Sequence, residues 1–527
     1  MNTSDIPPVD LAIIGGGING AGLAAQAAQA GLSVVLFEKD DFASGASSKS
    51  TKLLHGGIRY LEHADFALVF EALHERRRLM ELAPHLSRPL SFLLPSYKGD
   101  SRPAWMLKIG LWLYDLLAGR KNIARHQWFS PAQALQKAPL LKSEGLQGCG
   151  LYYDVQVNDA RLVLENILAA EKAGARCLNY CRVTQIAKEP THVDVFYHDD
   201  RTNTAGVIKA ACLLNASGPW ANQTAKMISE NALKLVRPTR GSHIVLPEIL
   251  HDHAVLVTTQ KDNRIIFVIP WRGYSLVGTT DIDDDGDPDK VSPNDAEIQY
   301  LLNEASRVFP GLKTDKSRVI AAFAGLRPLA WTEGGHASAV SREDRILRDG
   351  NLLTIVGGKL TTYRAMAEKA LRLVLEIVRK ASSNSSHYSL PGTPTLPWLK
   401  FLEEKIPRWI SIYSVTEAQA NQLAHLYGQR TEEVLELTKQ NPDLKKPLHP
   451  QRPELSAQVV YAVEKEKVLH LDDVMLRRLE IGWSAQGWGE AAQRACDLMA
   501  QKLNWNEEKK WQELERYRKY LYPTPQI

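Results

Sequence analysis

The sequence predicts an α/β + α fold: an open, largely parallel sheet wrapped by helices, an antiparallel sheet inserted into it, and a helical domain after it. Three observations carry that prediction. A buried strand near residue 10 runs through a glycine turn into a helix and a second strand. Two later strands, far apart in the chain, also end in glycines followed by helical residues. Past a Ser/Pro-rich break the strand-forming patterns stop and the residues read as helix.

The first element is Asp10-Leu11-Ala12-Ile13-Ile14, followed by Gly15-Gly16-Gly17-Ile18-Asn19-Gly20. This is a G-x-G-x-x-G turn placed after a strand. Gly15 permits the tight turn, Gly17 lets the backbone approach a pyrophosphate, and Gly20 lets the next helix pack closely. The spacing predicts a helix over Ala21 to Ala30 with its N-terminal amides aimed at that phosphate. A second strand, Ser33 to Glu38, ends in a carboxylate 18 positions after Gly20. An acid there can accept hydrogen bonds from an adenosine ribose. Strand, turn, helix, strand and acid in this order indicate a Rossmann-like dinucleotide-binding domain. The turn alone does not choose between FAD and NAD.

Later segments extend the same sheet. Ala160 to Gly174 carries Leu162, Leu164, Ile167 and Leu168 on an apolar stripe behind an expected N-cap at Asp159. Cys212 to Ala216 runs into Ser217-Gly218-Pro219-Trp220, and Leu352 to Val356 into Gly357-Gly358-Lys359-Leu360-Thr361-Thr362-Tyr363-Arg364. Three strand-to-glycine junctions suggest one parallel sheet with a ligand at the carboxyl ends of its strands. Between them, His243–Pro247, Ala254–Val257, Arg264–Ile269 and Ser275–Gly278 read as short strands of an inserted antiparallel sheet. The expected boundaries are residues 1–85, 151–235 and 346–381 for the nucleotide domain and 86–150 for a cap or substrate-domain segment. The antiparallel substrate domain covers 236–345, a linker 382–397 and the helical domain 398–527. No internal repeat is present.

The 527 residues suffice for two or three domains with real cores, at 44% hydrophobic and 24% charged residues. A formal charge of +4 gives no reason to expect nucleic acid and is compatible with an anionic substrate or membrane face. Cys149, Cys177, Cys181, Cys212 and Cys496 are few and odd in number, which fits a reducing compartment. No metal site is expected at Cys177 and Cys181, because no second pair or histidine cluster accompanies them. The first residues lack the charged and apolar regions of a signal or transit peptide, and no apolar run reaches the ~20 residues of a membrane span. The expected location is the cytoplasm, with peripheral attachment to the inner face of the cytoplasmic membrane. Ala104 to Ala118 is apolar except for Lys108 and Asp115. Trp105, Ile109, Trp112, Leu113 and Leu116 fall on one helical face. The segment is either a core helix or an interfacial one.

Several of these motifs together resemble the FAD-dependent, quinone-linked glycerol-3-phosphate dehydrogenases. They are the N-terminal unit, the run Ser47-Ser48-Lys49-Ser50-Thr51-Lys52-Leu53-Leu54-His55-Gly56-Gly57-Ile58-Arg59-Tyr60-Leu61, the stretch Ala324 to Leu329, Gly357 to Arg364, and Asp473-Val474-Met475-Leu476-Arg477-Arg478. The resemblance covers nearly the whole chain, and His-Gly-Gly-x-Arg-Tyr is its most discriminating part. It selects FAD as the cofactor and implies glycerol 3-phosphate as substrate and a membrane quinone as electron acceptor. A homodimer is compatible with it. Position by position, it implies substrate binding by Arg59, Tyr60, Arg342 and Lys359, and catalysis by His243 and Arg327. Gly15, Gly17, Gly20, Glu38 and Lys39 are expected to hold the adenosine diphosphate half of the cofactor. Ser47, Ser48, Gly56, Gly57, Gly218, Gly358, Lys359, Leu360 and Thr361 are expected around the rest.

The chemistry of the side chains suits that reaction. Guanidinium forks at Arg59 and Arg342, aided by Lys359, match phosphate oxygens, and Tyr60 adds a neutral donor. His243 and His55 are both candidates for the proton-accepting base, since histidine titrates near neutrality. His55 has an alternative task in holding the flavin or shaping its loop. Arg327 is expected to orient the substrate oxygen and stabilise charge developing on it. The helix after Gly358 is expected to direct its N-terminus at the flavin pyrimidine edge. Two other functions remain at this point: an oxidase that returns the electrons to oxygen as hydrogen peroxide, and a flavin-binding protein without this activity.

Overall fold

A computed structural model describes residues 7–331, 344–381 and 388–523. The nucleotide sheet is centred on β1 (Val9–Ile14), which pairs in parallel with β2 (Val34–Phe37) and with the strand Thr204–Asn215. Leu352–Val356 extends it in parallel past Thr204–Asn215, and Arg176–Leu178 past β2. All four β2 residues and all five of Leu352–Val356 are buried, as befits parallel strands covered on both faces. Helix α1 (Ile18–Gln29) lies on the sheet beside the helices Asp159–Lys172 and Tyr363–Val378. The contact with Tyr363 is close: a Cβ on Gly22 would lie 2.7 Å from its ring.

Helix starts differ from the sequence expectation for identifiable reasons. α1 begins at Ile18 rather than Ala21 because Gly17, in extended conformation, is itself the cap. The helix after residue 158 is capped by Asn158, not Asp159. The Asn158 side chain accepts from Arg161 N at 3.0 Å, while Asp159 turns away to Lys52 and Ser50. After Gly358 the chain makes a short 3-10 turn, Leu360–Thr362, before the α-helix starts at Tyr363.

The second sheet is mixed rather than purely antiparallel. Val236–Pro247 lies between Tyr274–Gly278 and Ala321–Ala330, antiparallel to both. His253–Thr258, however, pairs in parallel with Ser87–Tyr97, which pairs in turn with Leu146–Val157. Helices α2 (Phe66–Leu82) and α3 (Ala104–Ala118) pack beside each other, and the inner side of α3, Leu111, Tyr114 and Ala118, is buried in the core shared with this sheet.

The C-terminal domain runs from the helix Trp398–Tyr413 to Glu507–Arg518 and includes a π-helical turn at Asp473–Arg478. Its apolar residues form one continuous core with the substrate sheet, in which Phe323 and Trp271 meet Trp483 and Met475. Charge also crosses the junction. Asp41, just after β2, receives Arg477 Nε at 2.6 Å and both terminal nitrogens of Arg478 at 2.7 and 2.8 Å. Arg161 pairs with Glu466 at 2.8 Å with neither side chain exposed. Buried charges persist only when paired in this way.

Candidate active site

One cavity of about 430 Å³ runs from the β1–α1 turn to the substrate sheet. At its nucleotide end Gly15 is left-handed, with φ +110°, and a Cβ on it would meet Ala216 O at 2.5 Å. A Cβ on Gly20 would come within 2.0 Å of Gly15 O, so the turn and the first helical turn lock together only as glycines. No acid stands in the first turn of α1, and Ser47 Oγ accepts from Ile18 N at 3.0 Å. The positive helix end therefore faces the cavity beside a hydroxyl, a donor set suited to a pyrophosphate. Replacing Gly20 with alanine is expected to yield protein that purifies nearly free of flavin, read from the absorbance ratio of the visible band to 280 nm.

Glu38 directly follows β2 and accepts from Gly16 N at 2.7 Å and from Asp40 N at 2.9 Å. Burial, with Asp40 close by, pushes its carboxyl up to about 7 despite those amides. Lys39 Nζ is engaged by Asp40 at 2.7 Å and Asp289 at 2.5 Å and lies 4.9 Å from the Trp220 ring centre. Asn19 Oδ1, buried beside Gly358, has no hydrogen-bond partner among the described residues. Gly218 and Gly358 take left-handed backbone, with φ +57° and +117°, at the ends of their strands. An elongated cavity with glycine walls, helix-end amides at one end and an orphaned amide oxygen along it fits a dinucleotide such as FAD.

At the far end the His-Gly-Gly segment is held from two sides. His55 N donates to Thr361 Oγ1 at 3.1 Å, joining it to the turn after Gly358. Gly56 N donates to Tyr114 Oη at 2.9 Å and Asp154 Oδ1 at 3.2 Å, and Arg76 fixes Asp154 at 2.6 Å. Gly57, with φ +75°, turns the chain into the 3-10 helix Ile58–His63 that carries Arg59 and Tyr60. Two cations flank the Tyr60 ring: Lys359 Nζ at 4.1 Å and the Arg59 guanidinium at 5.7 Å from its centre. Arg342 lies outside the described residues.

His243 and Arg327 come from neighbouring strands of the substrate sheet. Arg327 lies across Gly241, where a Cβ would meet its Nη2 at 2.3 Å, and Gly241 and His243 share a strand face. Asp281 at 3.0 Å, Thr279 Oγ1 at 2.9 Å and Thr280 O hold the guanidinium. His243 Nε2 is 2.9 Å from Thr51 Oγ1, and its ring stacks on Phe323. Burial, then the charges of Arg327 and Lys52, lower its imidazole to about 3, so it is neutral near pH 7.

The cavity wall thus brings together Gly15, Gly17, Glu38, Lys39, Ser47, His55, Gly57, Arg59, Tyr60, Gly218, His243, Arg327, Gly358, Lys359, Leu360 and Thr361. Gly20, Ser48 and Gly56 stand behind that wall. Gly20 closes the turn, Ser48 O accepts from Lys52 Nζ at 3.3 Å, and Gly56 holds Tyr114. Sequence reasoning missed Asn19, Thr51, Trp220, Thr279 and Asp281, all on the cavity wall. The polar run Thr279-Thr280-Asp281 after a predicted strand was the one available signal for two of them.

Comparison with known proteins agrees with this geometry. The family model of FAD-dependent oxidoreductases matches residues 10–367, and that of the C-terminal domain of alpha-glycerophosphate oxidase matches 383–510. A glycerol-3-phosphate dehydrogenase of Synechocystis sp. is 35% identical over 97% of this chain and 96% of its own. The aerobic glycerol-3-phosphate dehydrogenase of Staphylococcus haemolyticus is 35% identical over 89% of this chain and 86% of its own. The crystal structure of the glycerol-3-phosphate dehydrogenase from Bacillus halodurans, complexed with FAD, has a TM-score of 0.79 and 30% identity, covering 99% of this chain and 96% of that one.

Proposed function

Because the chain belongs to the FAD-dependent glycerol-3-phosphate dehydrogenase family, we propose that it oxidises sn-glycerol 3-phosphate to dihydroxyacetone phosphate and passes the electrons to a membrane quinone. The observation that carries this reading is the single cavity joining the α1 N-terminus to His243, Arg327, Tyr60 and Lys359.

The amides of α1 and the side chains of Ser47 and Glu38 hold the cofactor's adenosine diphosphate half. Bound FAD supplies the acceptor for the hydride leaving C2 of the substrate. Arg59, Lys359 and Tyr60 bind the substrate phosphate as two cations around one phenol. Arg327, prealigned by Asp281 and Thr279, orients the C2 oxygen and stabilises the charge that develops on it. His243, held at Nε2 by Thr51, takes the hydroxyl proton at Nδ1, the ring nitrogen with no partner among the described residues. A neutral imidazole of low basicity accepts that proton only as the carbonyl forms, and the incoming phosphate dianion offsets the new positive charge.

Anaerobic addition of glycerol 3-phosphate is expected to bleach the flavin band near 450 nm. A spectrum that stays oxidised would overturn the enzyme assignment. In stopped flow, the reduced protein is expected to reoxidise faster with a quinone analogue than with dissolved oxygen, and the opposite order would make it an oxidase.

Quinone access requires contact with lipid, and α3 supports such contact. Trp105, Ile109, Trp112 and Leu116 are 65%, 51%, 57% and 60% exposed, whereas Leu113 on the same stretch is half-buried. α2 adds exposed Phe66 and Phe70, and Arg120 and Lys121 follow α3. Among the described residues no helix is long and apolar enough to cross a membrane. An interfacial helix on the cytoplasmic face fits these exposures. Replacing Trp105 and Trp112 together with serine is expected to weaken binding to anionic vesicles roughly ten-fold or more, from the lost apolar area. Flotation unchanged in the double variant would assign the contact to another surface.

A further inference from the structure

We propose that the C-terminal helical domain completes the active site, with Glu480 and Trp483 acting as positioning residues for His243. The inference rests on reading His243 as the group that receives the substrate proton.

Two routes connect the domain to that imidazole. The first is a stack of rings. His243 lies on Phe323 with centroids 5.1 Å apart and planes 18° apart, and Phe323 contacts Trp483 at 5.0 Å. Trp483 Nε1 donates to Leu476 O at 3.3 Å, so the indole is held by the π-helical turn of its own domain. On the other side the ring meets backbone: a Cβ on Gly278 would sit 2.1 Å from His243 Cδ2. Phe323 and Gly278 leave the imidazole no lateral room, and Trp483 is what backs Phe323.

The second route is ionic and reaches Nε2. Its partner Thr51 precedes Lys52, a lysine in left-handed backbone at φ +57°. Such a conformation is unfavourable for a non-glycine residue and survives only where its surroundings impose it. Here the side chain is buried between two carboxylates, Asp159 at 2.6 Å and Glu480 at 2.9 Å. Glu480 is itself left-handed, at φ +57°, and its second oxygen accepts from Asn158 Nδ2 at 2.9 Å and faces Arg272 Nη1 at 3.4 Å. The Lys52 ammonium also stands 6.0 Å from the Phe323 ring, where the two routes meet. A carboxylate from the C-terminal domain therefore fixes the lysine that fixes Thr51, and Thr51 fixes the imidazole at Nε2, leaving Nδ1 as the open nitrogen. No residue of the described part of that domain lines the cavity, so its contribution to the site is to hold, not to bind.

The test uses full-length holoprotein carrying E480Q, W483L or W483F. E480Q keeps the shape and the Asn158 contact while removing the charge, and W483F restores an aromatic face that W483L lacks. Anaerobic stopped flow gives the limiting rate of flavin reduction and the apparent Kd for glycerol 3-phosphate. Hydrogen exchange measured by mass spectrometry reports the segment 49–55 independently of turnover. A displaced base lowers the limiting rate roughly ten-fold in E480Q and W483L, since misplacements near 1 Å cost up to about 10²-fold. The Kd and the flavin content are expected to match wild type, W483F to recover most of the rate, and exchange over 49–55 to rise in E480Q. Unchanged reduction rates in E480Q and W483L would overturn the proposal. So would rates that fall only in step with lost flavin or lost substrate affinity. A wild-type protein that glycerol 3-phosphate does not reduce would instead overturn the substrate reading. The exchange measurement would then still decide, because unchanged protection of 49–55 in E480Q overturns the positioning role by itself.

Discussion

Replacing His243 with asparagine is expected to lower the limiting rate of flavin reduction by roughly 10²–10⁴-fold, the usual worth of a positioned base. Asparagine can keep a hydrogen bond to Thr51 and a similar volume against Phe323, so flavin content and the apparent Kd for glycerol 3-phosphate should change little. The pH dependence gives the same result an independent signature. Burial and the charges of Arg327 and Lys52 hold the His243 imidazole near 3 in the folded protein. The free protein therefore keeps this base unprotonated well below the ordinary histidine range, and kcat/KM should show no inflection near 6.5 attributable to it. The same shift acts on stability. Below about pH 6.5 the unfolded chain binds a proton that folded His243 refuses, so this residue favours unfolding increasingly as acid is added. Anaerobic stopped flow across pH 5–9, on wild type and H243N, checks both statements. A wild-type limb near 6.5 that disappears in H243N would show that the imidazole titrates normally.

The largest stability effect is expected at Asp41. Its carboxylate is buried and serves Arg477 and Arg478 at once. Burial alone would raise its pKa, but Arg478 and then Arg477 hold it down to about 2. Changing it to asparagine leaves two guanidiniums with their charge uncompensated at that point. Removing one partner from a buried pair typically costs about 3–5 kcal/mol. Urea unfolding of D41N should show that loss, with the C-terminal domain separating first where the transition becomes biphasic. Because the folded pKa is depressed, the stability Asp41 provides is fully present above the unfolded value near 4. It is lost as pH falls toward 2. A D41N midpoint within error of wild type would mean that the apolar contacts and the remaining ion pairs, such as Arg161–Glu466, suffice to hold the domain.

Local patterns in the sequence were enough for several elements. Leu352–Val356 and the helix Ala104–Ala118 have the bounds their apolar patterns predict. The order strand, glycine turn, helix, strand at the N-terminus needs no tertiary information, because each residue type there answers a constraint from its neighbours. The site residues were legible where they sat in a run, as in His55 to Tyr60 or Gly357 to Lys359. They were illegible where their meaning comes from register. Thr51 matters because it meets a histidine 192 positions away, and Asp281 because the ladder brings it to Arg327. Glu38 was legible as the acid that follows β2. That it also ties down Gly16 follows only from the curvature of the turn. The mixed character of the substrate sheet was hidden for the same reason, since the parallel pairing of His253–Thr258 with Ser87–Tyr97 leaves no trace in either strand.

The order of strands in the nucleotide sheet also governs when the protein can exist. β1 is made first, yet its partners are Val34–Phe37, Thr204–Asn215 and, one strand further, Leu352–Val356. The cofactor end of the cavity likewise needs Gly15, Gly218 and Gly358 together. At roughly 5–20 residues per second on the ribosome, the wait between the first strand and the last is about 20–70 s. During that interval the apolar faces of β1 and α1 have no complete sheet to cover them. A nascent chain arrested before residue 352 is therefore expected to bind chaperones and no flavin. Biosynthesis of this fold is gated by its most distant strand, and flavin supply matters only after that gate has opened.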